Sequence, residues 1–68
     1  MENTVSQRVK YLRESLRLSQ NEFAKRIGFS QATIFKAEQG GGLTTKVLRK
    51  VIEVFNVNPA WLMEGEGE

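Results

Sequence analysis

The sequence predicts an all-α domain of five short helices, and three observations carry that expectation. Apolar residues make up 40% of the chain and recur with the 3.6-residue period of a helix face. Helix-start signals repeat. Ser19, Ser30, Thr44 and Asn58 each follow an apolar residue, and a second apolar residue comes four positions later. Leu18 with Phe23, Phe29 with Ile34, Leu43 with Leu48 and Val57 with Leu62 then form hydrophobic staples across these caps. Breaks fall at Gly28, at Gly40–Gly42 and at Asn56, residue types that accept the left-handed turn ending a helix.

The first helix is expected over residues 5–16, with Val5, Val9, Leu12 and Leu16 as its buried stripe. Arg8, Lys10, Arg13 and Arg17 occupy the remaining faces. Arg8 reads as solvated, and Lys10 and Arg17 stay open between a solvated face and a contact with a polyanion. The second helix, residues 20–27, opens on a capping box of Ser19 and Glu22, whose side chains satisfy each other's backbone N–H groups. It buries Phe23, Ala24 and Ile27; Ala24 is small because the next helix crosses closely there. Gly28 then turns the chain through positive φ.

The third helix spans residues 31–39 and turns Ile34 and Ala37 to the core. Gln31, Ala32, Phe35 and Lys36 project from the other side, and a bare aromatic among polar residues is unexpected unless it meets something. Gly40 takes the left-handed position after this helix, while Gly41 and Gly42 serve either flexibility or close approach of backbone N–H groups to phosphate. The loop lacks the Lys-Ser/Thr ending of a nucleotide-binding loop. The fourth helix, residues 45–55, carries Leu48, Val51, Ile52 and Phe55 as its core stripe. Lys46 in its first turn opposes the helix dipole, a cost that a nearby phosphate would cancel, so Thr44, Thr45 and Lys46 read as contacts to a phosphate backbone. Arg49 and Lys50 read as solvated. Asn58 caps the fifth helix with Pro59 at its first position, where the missing N–H costs nothing. Trp61, Leu62 and Met63 are a large apolar group expected to close the core.

The 68 residues form one domain, residues 1–63, followed by a glycine-rich acidic stretch, residues 64–68, expected to be flexible. Net charge is +2, but three of the eight glutamates lie in that stretch, so residues 1–63 hold ten cations against five anions, about +5. A basic body suits a polyanion. The chain has no His, Cys or Asp, which removes the usual zinc and redox ligands and any Ser-His or Cys-His nucleophile. No catalytic residue, metal, cofactor, small-molecule ligand or enzymatic activity is expected. No apolar run reaches membrane-spanning length and no signal peptide is visible, which with the absent cysteines points to the cytoplasm.

With Gln20 as first motif position, Ala24 is fifth, Gly28 ninth and Ile34 fifteenth. This pattern resembles the phage repressor and Cro type of helix-turn-helix DNA-binding domain, the lambda-repressor-like family, with the motif at the second and third helices. The resemblance runs from Val5 to Met63. It implies that Arg13 pairs with Glu38, and that Gln20 clamps a phosphate while bracing Gln31; the plainer alternative for Gln20 is an ordinary first-turn residue. It implies a transcriptional regulator, most simply a repressor, binding palindromic double-stranded DNA as a homodimer with the third helix in the major groove. Gln31, Ala32, Phe35 and Lys36 would then meet base edges, with Gln20, Ser30, Thr33, Thr44, Thr45 and Lys46 on the backbone. Trp61 and Met63 would support the dimer or the core. Two positions depart from the family: Phe35 stands where a polar residue is usual, and Ala37 where a bulky apolar one is. Phe35 could therefore point outward or fill space beside Ala37. The alternative from another class is a protein-interaction module, antitoxin-like or an adaptor, using Phe35 and Trp61 as anchors.

Overall fold

The computed structural model describes residues 4–67. Five helices follow in order: α1 (Val5–Ser15), α2 (Gln20–Ile27), α3 (Gln31–Glu38), α4 (Thr45–Phe55) and α5 (Pro59–Glu64). No strand occurs among the described residues, and none of their helices is long and apolar enough to cross a membrane.

Each helix begins where a short polar side chain accepts an otherwise orphaned N–H. Ser19 accepts from Glu22 at 3.0 Å, Ser30 from Thr33 at 3.2 Å, Thr44 from Val47 at 3.3 Å and Asn58 from Ala60 at 3.0 Å. Thr4 does the same for α1 in a capping box with Gln7. The Glu22 carboxylate completes the second box by accepting from the Ser19 N–H at 2.8 Å, and that bond holds its pKa below the ordinary value. Gly28 takes φ +79°, and the Phe29 N–H reaches back to the Ala24 carbonyl at 2.9 Å, turning the chain between α2 and α3. After α3, Gly40 at φ +102° lets two successive N–H groups bond back: Gly40 to the Ala37 carbonyl and Gly41 to that of Lys36.

The core gathers Val9, Phe23, Ala24, Ile27, Ile34, Val47, Leu48, Val51 and Leu62, so all five helices contribute. The entering staple residues Leu18, Phe29, Leu43 and Val57 pack against it, and Phe23 stacks on Phe55 with centroids 4.8 Å apart. Ala24 is fully buried, and the short side chain suits the close α2–α3 crossing.

Several expectations are corrected. Leu16 is 42% exposed, because α1 ends at Ser15 and Leu16 caps it beyond the last core-facing turn. Arg8 is buried instead, at 5% exposed; its Nε donates to the Leu62 carbonyl at 2.8 Å and a terminal nitrogen donates to that of Met63 at 3.3 Å. A cation at the negative end of α5 is electrostatically well placed, and it fastens that six-residue helix to α1. On α4 the buried stripe is rotated so that Val47 is fully enclosed, while Ile52 and Phe55 are only half-buried. α3 ends at Glu38, with Gln39 as its cap. α5 runs through Glu64, where Gly65 closes it, and the Glu66 N–H donates to the Ala60 carbonyl at 3.2 Å. Residues 1–3 of the expected domain and Glu68 of the expected tail lie outside the described residues.

A Cβ added at Gly28 would meet no atom within 4 Å, so substitution there costs backbone conformation alone. Gly28→Ala should therefore destabilise by about 1–2 kcal/mol, read as a fall in thermal midpoint. Glu22 contributes stability above its unfolded pKa that is lost as pH falls through the folded one. Glu22→Gln should thus be less stable than wild type at neutral pH, with the gap closing below about pH 4 in denaturation curves.

Candidate nucleic-acid interface

α3 is divided sharply into two sides. Ile34 and Ala37 are fully buried, whereas Gln31, Ala32, Phe35 and Lys36 are exposed, Phe35 to 50%. Phe35 therefore points outward, while Ala37 is fully buried. A helix of eight residues has little stability of its own, so its orientation comes from packing and from polar ties at its ends.

Those ties form one continuous chain. Arg13 on α1 donates from Nε to Glu38 Oε2 at 2.6 Å and from a terminal nitrogen to Glu38 Oε1 at 3.2 Å, a two-point pairing at the end of α3. Its remaining terminal nitrogen donates to the Leu18 carbonyl at 2.8 Å. Only 13% of the Arg13 side chain and 2% of that of Glu38 are exposed. The hydrogen bond to Glu38 raises the Arg13 pKa above its ordinary value, so the cation persists through the neutral range. Gln20, first residue of α2, donates from Nε2 to Glu38 Oε1 at 3.1 Å, and Gln31, first residue of α3, donates from Nε2 to Gln20 Oε1 at 2.6 Å.

The direction of this chain follows from elementary chemistry. A carboxylate only accepts, so Gln20 must turn its NH₂ toward Glu38 and its carbonyl toward Gln31. Gln31 must then turn its own NH₂ inward. What remains for solvent on Gln31 is one N–H and the carbonyl oxygen, a donor beside an acceptor. That pair matches N7 and N6 of adenine as they lie in a major groove.

Around α3 lie the residues expected on a phosphate backbone. Ser30 and Thr33 share a hydroxyl–hydroxyl bond of 3.0 Å at the α3 cap, with Ser30 exposed and Thr33 half-buried. Thr44, Thr45 and Lys46 are exposed at the start of α4. Lys46 also lines a depression of about 330 Å³ with Arg49, Lys50 and the turn residues Ile27, Gly28 and Phe29. Arg49 and Lys50 were expected only to be solvated; their neighbourhood to Lys46 follows from the i, i+3, i+4 spacing on α4. Lys10 and Arg17 are exposed. Trp61 and Met63 do not share a face: Trp61 is half-buried with its ring 6.0 Å from that of Tyr11, while Met63 is 45% exposed. Arg8 had a signal in the sequence, since it lies three residues from Val5 and four from Leu12, on the stripe itself, where a charge needs partners. No group of three or more potential metal ligands occurs among the described residues.

This chain belongs to the helix-turn-helix family, whose model matches residues 9–62. Its relatives include the HTH-type transcriptional regulators for conjugative element R391 of Providencia rettgeri and for conjugative element SXT of Vibrio cholerae, each 31% identical over 65 residues. The match takes in 96% of this chain and 30% of each regulator, so the chain spans under a third of their length. Among solved structures, the P22 c2 repressor in complex with synthetic operator 9T superimposes with a TM-score of 0.82 at 20% identity, over 93% of this chain and 97% of that one. The fold is lambda-repressor-like.

Replacing one partner of the buried pair should be costly: Glu38→Ala should destabilise by about 3–5 kcal/mol, a large share of the stability of so small a domain, in chemical denaturation. Arg13→Met combined with Glu38→Leu should recover most of that loss, because no stranded charge remains.

Proposed function

We propose that this chain is the DNA-binding unit of a transcriptional regulator, a repressor that binds palindromic double-stranded operators as a homodimer. α3 enters the major groove. Gln31 reads adenine with its fixed donor–acceptor pair, Lys36 donates to guanine O6 and N7, and Ala32 and Phe35 pack on thymine methyl groups. Gln20, Ser30, Thr33, Thr44, Thr45 and Lys46 hold the phosphate backbone and set the register. Two copies read half-sites about one helical turn, about 34 Å, apart.

The observation that carries this reading is the solvent-open outer side of α3, whose first residue is held at a defined amide orientation by Gln20. An ordinary solvated surface has no use for an oriented amide. Membership of the helix-turn-helix family and the similarity to a repressor solved with its operator support the same reading. The protein-interaction alternative draws less support, because Trp61 is turned onto Tyr11 rather than standing beside Phe35 as a second anchor.

The test is binding to labelled duplexes, selected and random, over a range of salt. Lys46→Ala should weaken binding to all sequences alike and flatten the slope of log affinity against log salt by about 0.9. Gln31→Ala should mainly relax discrimination at one base pair, by about 1–3 kcal/mol. Equal loss on specific and random duplexes would remove Gln31 from base reading, and salt-insensitive behaviour of the wild type would favour a protein partner.

A further inference from the structure

Three donors converge on the Glu38 carboxylate: Nε of Arg13 at 2.6 Å, a terminal nitrogen of Arg13 at 3.2 Å, and Nε2 of Gln20 at 3.1 Å. Arg13 holds the acceptor in place, since its remaining terminal nitrogen is anchored on the Leu18 carbonyl at 2.8 Å. Exposure rises along the bonds that follow. The Glu38 side chain is 2% exposed, Gln20 is half-buried and Gln31 is exposed. The end that meets a partner is thus oriented by the end that meets none. A carboxylate has no N–H to give, so the Gln20 NH₂ must lie at the Glu38 end and its carbonyl must face Gln31. Turning that amide round would set its carbonyl against a buried anion, with no solvent to relieve the repulsion.

We infer that Glu38, acting through Gln20, is a positioning residue that selects adenine over guanine at the base pair Gln31 meets. The inference rests on the reading of α3 as the helix that meets base edges, and it concerns which base that helix chooses. A free glutamine amide can present either of two faces. With its NH₂ held by Gln20 at 2.6 Å, Gln31 shows one N–H beside a carbonyl oxygen, which suits the N7 acceptor and N6 donor of adenine. Reversed, with the carbonyl inward, it would show both N–H groups, and guanine offers two acceptors, O6 and N7. The reversed state needs a donor at the Gln31 end of residue 20. Glu38 denies it that donor, although Glu38 itself never approaches the groove.

The test is relative affinity for two duplexes that differ only in carrying A·T or G·C at the pair where Gln31→Ala relaxes discrimination. Phosphate contacts are common to both duplexes, so they cancel in the ratio. Wild type should favour adenine by about tenfold or more. Gln20→Lys places a pure donor between Glu38 and Gln31 while keeping a partner for the carboxylate, and should invert the ratio toward guanine. Gln20→Leu offers neither donor nor acceptor and should bring the ratio to within about threefold of unity. Glu38→Gln should also invert it. The new amide keeps its oxygen on the shorter Arg13 bond, puts its nitrogen in the Oε1 place and donates to the Gln20 carbonyl. That change weakens the pair with Arg13, so circular dichroism establishes its fold, and Gln20→Lys, which leaves the pair whole, decides the matter if Glu38→Gln is unfolded. A purely structural role for Gln20 or Glu38 would lower affinity for both duplexes and leave the ratio unmoved. Gln20→Lys that still favours adenine, or a wild-type preference surviving in Gln20→Leu, overturns the inference and leaves DNA binding standing. Equal effects of Gln31→Ala at every base pair remove the reader and this inference with it. Absent or salt-insensitive duplex binding by wild type sinks both readings.

Discussion

The Glu38 carboxylate sits almost wholly out of solvent, at the end of the helix that carries the candidate reading surface, and Arg13 donates to both of its oxygens. A buried charge without a partner is among the costliest features a small domain can hold, so the pair must form if α3 is to end where it does. The pair is not a strong source of stability, since an apolar substitute of similar volume would serve as well. Its consequence is one of arrangement. Because the carboxylate only accepts, it dictates the amide orientation of Gln20, and through it that of Gln31. One buried anion thereby links α1, α2 and both ends of α3.

This arrangement explains how a helix of eight residues can present a working outer side. α3 gives only Ile34 and Ala37 wholly to the interior, too little to hold an isolated helix of that length. The rest of its support comes from the Ser30 cap at one end, the glycine turn at the other and the hydrogen-bond chain through Gln20 and Glu38. Gln31, Ala32, Phe35 and Lys36 are in consequence not needed for packing. A side freed from the core in this way is available to a partner.

The fold was legible where its signals are local. A cap acts within three residues and a staple within five, so Ser19 with Glu22, Leu18 with Phe23 and Leu43 with Leu48 could be read without knowing the rest of the molecule. Gly28 falls in the same class, since only its own φ is at stake. Errors arose where periodicity was extended past a helix end, as at Leu16, or where two neighbouring stripes were nearly equivalent, as at Val47 against Ile52. Arg8 was misread for another reason. Residue type suggested solvent, while its position on the stripe demanded burial, and the carbonyls that resolve the conflict lie more than fifty residues away at Leu62 and Met63.

Sequence alone determined the number of helices, their order, where each begins and the turn at Gly28, because these follow from interactions among residues a few positions apart. The Arg13–Glu38 link entered only through resemblance to a family, for no local rule joins residues on α1 and α3. Tertiary structure decided the remainder: which end of the Gln31 amide faces inward, that Phe35 is exposed, that Arg8 fastens α5, and that Trp61 and Met63 part to opposite sides. Each of those outcomes depends on where one helix lies against another, and that is set by the shape of the whole core rather than by any stretch of chain.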